Sequence, residues 1–191
     1  MPDGDNFFFT AKNGEEIILR PVEEKDAADI TKHVETIVKA GRYLQKEELH
    51  SVSEEIEFIH EVKRKGNLYT AVERNKKVVG IARVLKGELQ MKKHTGVFRT
   101  WIHPEAQGLG IGKELLAHTL RWGETNNLHK IWLTVFSGNE KAVRVYEKAG
   151  FIIEGKQRDQ VIIEGKFEDE YFMAYFFNSI QNNSFGFQDN R

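Results

Sequence analysis

Cysteine is absent from the 191 residues, which removes disulfide bonds, thiolate metal ligands and a cysteine nucleophile together. An excess of charge of either sign is missing too. Lys and Arg number 28 against 29 Asp and Glu, a formal net charge of −1, so charge recommends neither nucleic acid nor an anionic membrane as a partner. Long apolar runs are lacking: Phe7-Phe8-Phe9 follows acidic residues and is far shorter than a secretion-signal core or a membrane span, which implies a cytoplasmic protein. Internal repeats and low-complexity blocks are not found. The seven histidines nowhere show the spacing of a metal-binding helix motif, and His60-Glu61 lacks the second histidine, so no metal is expected.

What is present suits an ordinary folded domain, with 40% hydrophobic and 30% charged residues. The length favours one domain over residues 15–177, between a flexible N-terminus (1–14) and a flexible tail (178–191). Ile17 to Pro21 reads as a strand. Glu24 to about Ala40 reads as a helix that buries Ile30, Val34, Ile37 and Val38 and stops at Gly41. Ser53 is the expected N-cap of a second helix carrying Ile56, Phe58, Ile59 and Val62. Leu68 to Arg74 and Lys77 to Lys86, separated by Asn75-Lys76, read as a tight hairpin. Gly96 to Ile102 reads as the next strand.

A helix from Ile111 to Asn126 buries Ile111, Leu115, Leu116, Thr119 and Leu120, and Lys130 to Phe136 is apolar enough for a strand covered on both faces. A helix over Asn139 to Ala149, capped by Gly150, precedes the strands Phe151 to Asp159 and Phe167 to Phe177, which turn near Glu164-Gly165. The order is β-α-α-β-β-β-α-β-α-β-β, an α/β (α+β) chain.

Two segments carry chemistry. Gln107-Gly108-Leu109-Gly110-Ile111-Gly112-Lys113 lies between a strand and a helix start, where glycines admit a close ligand and free helix amides attract phosphate oxygens. The glycine interval does not fit a dinucleotide fingerprint, and Glu114 stands where a magnesium-binding hydroxyl would be needed. A plain glycine turn capping the helix is the alternative. In Asn139 to Phe151, the residues Ala142, Val143, Tyr146 and Ala149 share one helix face, which turns Tyr146 toward the sheet. Taken alone, such a tyrosine is more often just a core aromatic than a functional residue.

Together, in this order, the two segments resemble the GNAT superfamily of N-acetyltransferases. Gln107 to Gly112 is similar to its Gln/Arg-x-x-Gly-x-Gly/Ala motif, and Asn139 to Phe151 to its Asn-x-x-Ala-x-x-x-Tyr-x-x-x-Gly-Phe segment. The resemblance implies a mixed, mostly antiparallel central sheet flanked by helices, and acetyl-CoA as cosubstrate. It also implies direct attack of a primary amine, of a small molecule or a protein N-terminus, in a ternary complex. It assigns the CoA pyrophosphate to the amides of Gly108, Leu109, Gly110, Ile111 and Gly112, with Gln107 and Lys113 beside them. Trp101 and Ile102 would offer backbone groups to the pantetheine arm, Asn139 and Ala142 would meet the cofactor, and Tyr146 would be the general acid. Lys148, like Lys113 and Arg144, would reach phosphates unless it is a solvated helix residue.

Many relatives carry a glutamate in the strand before the glycine loop, and His94 to Thr100 holds no carboxylate here. Glu88 and His94 are the candidate bases there, with a water relay or simple desolvation of the amine as an equal alternative, and a hairpin-turn charge and an exposed loop histidine are their plainer readings. Arg42, Tyr43 and Leu44 facing Glu168, Asp169 and Glu170 would border the acceptor groove. Partners are then acetyl-CoA and an amine acceptor, without nucleic acid or membrane, and a homodimer is compatible with the resemblance. A non-catalytic or sensory acyl-CoA-binding protein of the same fold is the rival reading.

Overall fold

The computed structural model describes residues 6–39 and 50–177. Eight strands form one sheet: β1 (Phe7–Thr10), β2 (Glu16–Pro21), β3 (Leu68–Arg74), β4 (Lys77–Lys86), β5 (Thr95–Ile102), β6 (Lys130–Phe136), β7 (Ile152–Ile163) and β8 (Lys166–Phe176). They lie in the order β1-β2-β3-β4-β5-β6-β8-β7. Every neighbouring pair is antiparallel except β5 with β6. The helices are α1 (Ala27–Lys39), α2 (Val52–Arg64), α3 (Ile111–Thr125) and α4 (Glu140–Lys148).

The strands alternate, so each sends one set of side chains to each side of the sheet. Ala82, Val84, Phe98, Ile131, Leu133 and Met173 pack with Ile111, Leu115 and Leu116 of α3 on one face. Ala71 and Ile81 pack with Ile30 and Val34 of α1 and Ile59 of α2 on the other. Each large side chain buried this fully contributes about 1.5–3 kcal/mol. On the second face the start of α1 is tied down by charge: Arg20 on β2 donates two hydrogen bonds to Asp26, at 2.7 and 2.8 Å, and one to Glu73 on β3 at 2.6 Å.

The β3–β4 turn carries positive φ at both Asn75 and Lys76 (52° and 62°), the backbone that a two-residue hairpin requires. Three expectations are corrected. The first strand lies inside the stretch expected to be a flexible terminus: Phe7 to Thr10 pair with Leu19 to Glu16, and Phe7 rests against His118 and Arg121 of α3. The cap of α2 is Ser51 rather than Ser53, because Ser51 and Glu54 exchange bonds as a capping box. The strand expected to end at Asp159 runs to Ile163, since shifts of register at Gly155 and between Gln157 and Val161 let it bend and continue beside β8. Gly41 and residues 178–191 lie outside the described residues. Among those described, no helix is long and apolar enough to cross a membrane.

Candidate active site

The site begins where the sheet comes apart. β5 and β6 pair only through Thr95 with Lys130, Gly96 with Ile131 and Val97 with Trp132, yet both strands continue, to Ile102 and Phe136. Beyond that seam a cleft of about 160 Å³ opens, lined by Phe98 to Trp101, Leu133 to Phe136, Asn139, Ala142 and Tyr146. Engineered cavities of about this size hold a benzene ring, so the cleft takes a small group rather than a folded surface.

Backbone alternation decides which groups of β5 face the opening. His103 donates to Val79 at 2.8 Å and Gly87 donates to Thr95 at 3.0 Å, so odd-numbered residues of β5 bond to β4. The main-chain groups of Thr100 and Ile102 therefore turn toward the gap. This corrects one expectation: the Trp101 backbone belongs to the β4 ladder, and its ring packs among the residues under α1 and α2. The Ile102 carbonyl accepts from Gln107 Nε2 at 2.9 Å. Gln107 is thus a brace between the strand end and the loop.

The glycine loop enters α3 through Gly108 and Gly110, whose φ of 78° and 85° disfavours any larger residue. Gly110 caps α3 without a side-chain bond. Among the described residues no acceptor takes the amides of Gly108 to Gly112, and a Cβ at Gly108 would meet nothing within 4 Å. Open space above free amides at the positive end of a helix fits a diphosphate. Ile111 is buried and Leu109 packs on the core, so both anchor the loop by side chain and present only their amides.

Lys12, absent from the sequence reading, abuts this loop. Its amide donates to the Leu109 carbonyl at 3.1 Å, and its side chain lies 3.7 Å from where a Gly110 Cβ would be. It lies in the turn that follows the terminal strand β1. Lys113 is 86% exposed, Arg144 is paired with Glu140 at 2.7 Å, and Lys148 is exposed in the last turn of α4, so none of the three reaches the cleft.

Tyr146 sits at the cleft wall, edge-on to Phe98 and tilted against Phe151. Burial pushes its hydroxyl up to about 12, against a smaller opposing pull from Arg99, so the proton stays on at neutral pH. Asn139 caps α4, its side chain accepting from the Ala142 amide at 3.3 Å.

Neither candidate base lines the cleft. Glu88 follows β4 in an exposed loop, paired with Lys65 at 2.5 Å, and His94 precedes β5, where its carbonyl accepts from His129 and Lys130. Both stand at the paired end of β5, not the open one. The carboxylate that does line the cleft is Glu55 of α2, only 4% exposed, accepting from the Tyr69 hydroxyl at 2.5 Å and meeting His50 Nδ1 at 2.9 Å. Sequence spacing marks it only as a first-turn acid.

Of the expected acidic border, Glu168 accepts from the Gly138 amide and Asp169 pairs with Lys156, while Glu170 is buried beside Arg99. Each is engaged within the fold, so the run is no free cation trap. Arg42, Tyr43 and Leu44 lie outside the described residues.

The profile described as the acetyltransferase (GNAT) family matches residues 37–151. A spermidine N(1)-acetyltransferase of Vibrio cholerae is 35% identical over 95 residues, 49% of this chain and 54% of the relative, so the match spans about half of that protein. A GNAT-family acetyltransferase structure from Streptococcus pneumoniae aligns with a TM-score of 0.79 at 25% identity, covering 84% of this chain and 98% of the other. A phosphinothricin acetyltransferase from Sinorhizobium meliloti, in complex with acetyl-CoA, has the same fold, with a TM-score of 0.77 at 20% identity over 88% of this chain and 89% of the other.

Proposed function

The chain belongs to the acetyltransferase (GNAT) family, and on that premise we propose that it transfers an acetyl group from acetyl-CoA to a primary amine by direct attack within a ternary complex. The observation that carries this reading is the parting of β5 and β6 beside the free amides of Gly108 to Gly112, with Tyr146 at the wall of the opening. A neighbour of the same fold was solved with acetyl-CoA. When bound, that cosubstrate supplies an activated acetyl group and a thiolate leaving group.

The residues divide the remaining work. The Gly108 to Gly112 amides hold the diphosphate, with Lys12 adding charge. The main-chain N–H groups of Thr100 and Ile102 face the position where negative charge develops on the acyl oxygen. Tyr146 Oη holds a proton for the departing sulfur. Glu55, in place of Glu88 and His94, receives the acceptor's ammonium and its proton, since an amine near its usual pKa of about 10 must become neutral before it attacks.

The first test is thermal melting with acetyl-CoA, with ATP and NAD as controls. Acetyl-CoA at 100 times its dissociation constant adds about 2.7 kcal/mol, a rise of roughly 5–10 °C at this chain length. No rise would remove the cofactor assignment. A rise without amine-dependent thiol release would favour the sensory reading, for which the missing carboxylate on β5 speaks.

A further inference from the structure

On the face of the sheet under α1 and α2, Arg83 of β4 stands directly opposite Arg99 of β5, and both line the cleft together with Glu55 and Tyr69. The even spacing from His103–Val79 and Thr95–Gly87 makes this a hydrogen-bonded cross-strand pair, with the two side chains adjacent on one face. Like charges so placed repel, and neither guanidinium can shed its proton to escape.

Among the described residues the pair is under-compensated. Arg83 Nε is buried without a hydrogen-bond partner, and the guanidinium lies 5.0 Å above the Phe58 ring. Arg99 gives one hydrogen bond, to the carbonyl of Phe98 at 3.1 Å. Among the described residues neither arginine forms an ion pair with a carboxylate: Glu55 meets Tyr69 and His50 through one contact on each oxygen, and Glu170 acts on Arg99 through its field. Burial and then Arg83 disfavour the charge on Arg99, with Glu170 opposing.

We propose that Arg83 and Arg99 form an oxyanion subsite for the acceptor, so that the amine acetylated here carries a carboxylate, as in an amino acid, rather than being a polycation. The cleft then presents opposite charges to the two ends of a zwitterion, Glu55 to its ammonium and the arginine pair to its carboxylate, whose two oxygens match the planar donor fork of a guanidinium. A polyamine such as the spermidine named for one relative would bring a further positive charge to that pair. The inference rests on the acetyltransferase reading.

The experiment measures thiol release from acetyl-CoA with L-amino acids, with the corresponding amino acid amides, with an aminoalkylphosphonate and with spermidine. Acids turned over at least tenfold more efficiently than their amides support the proposal, and the phosphonate separates carboxylate geometry from oxyanion charge in general. Arg83→Gln and Arg99→Gln are expected to raise KM for the acid roughly 10- to 100-fold, the worth of a hydrogen bond to a charged group, with KM for acetyl-CoA unchanged and partial recovery in Arg83→Lys. Amides or spermidine used as well as the acids would overturn it. Should a glutamine variant not fold, the acid-to-amide ratio of the unaltered protein decides. Absence of stabilisation by acetyl-CoA would instead defeat the acetyltransferase reading itself, a failure distinct from a wrong acceptor.

Discussion

The two ends of β5 differ in what stands beside them: one is paired with β6 and the other faces an opening. At its start, three residues pair with β6, and Gly96 is so enclosed that a Cβ would come within 2.5 Å of Val84 Cγ1. At its end, the neighbouring strand has moved away, main-chain groups face an opening, and tyrosine, arginine and glutamate side chains gather there. On the proposed function, one strand thus serves cohesion at one end and chemistry at the other. Glu88 and His94 stand near the closed end, outside the lining of the cleft.

The largest effect expected from breaking this contrast is at the open end. Tyr146→Phe should lower kcat by about 10² to 10⁴ while acetyl-CoA still raises the melting temperature as in the parent, because only a proton donor is lost. Equal turnover in the variant would deny the tyrosine its role. Gly96→Val tests the closed end: overpacking should cost about 1–3 kcal/mol, read as a lower denaturation midpoint, with KM for both substrates unchanged in the folded fraction. A change in KM without loss of stability would show that the two ends are not separable.

Smaller effects sharpen the boundary. Lys12→Gln should raise KM for acetyl-CoA roughly two- to fivefold at low salt, with the difference fading as salt is added, since one exposed charge at a helix start is worth about 0.3–1 kcal/mol. The smallest effect belongs to the double variant Glu88→Gln, His94→Gln, whose kcat/KM should stay within about twofold across pH. A lost acidic limb in that profile would return one of them to the mechanism.

Much of this architecture is legible in the amino-acid order. Leu68 to Arg74, Lys77 to Lys86 and Lys130 to Phe136 have the bounds read from their β-branched runs and turn residues, and the faces of α3 and α4 follow from helical spacing. Those patterns are local. What escaped depends on partners distant in sequence: Phe7 to Phe9 pair with β2 and rest on α3, and Glu55 meets Tyr69 in the lining of the cleft. The Arg83–Arg99 pair needs the register of β4 on β5, which no residue states alone. The glycine loop and Tyr146 were visible as motifs, whereas the assignment of backbone groups to Thr100 and Ile102 in place of Trp101 required the ladder itself.

The three-residue seam has a consequence for how the chain holds itself together. Strands from residue 7 to 102 build one side of the sheet and strands from 130 to 176 the other, so the join in space is also a division in sequence. A ligand that touches both lips of the opening acts as a clasp between two halves. Its arrival should be felt as slower hydrogen exchange at the main chain of β5 and β6 together, even at residues it never touches.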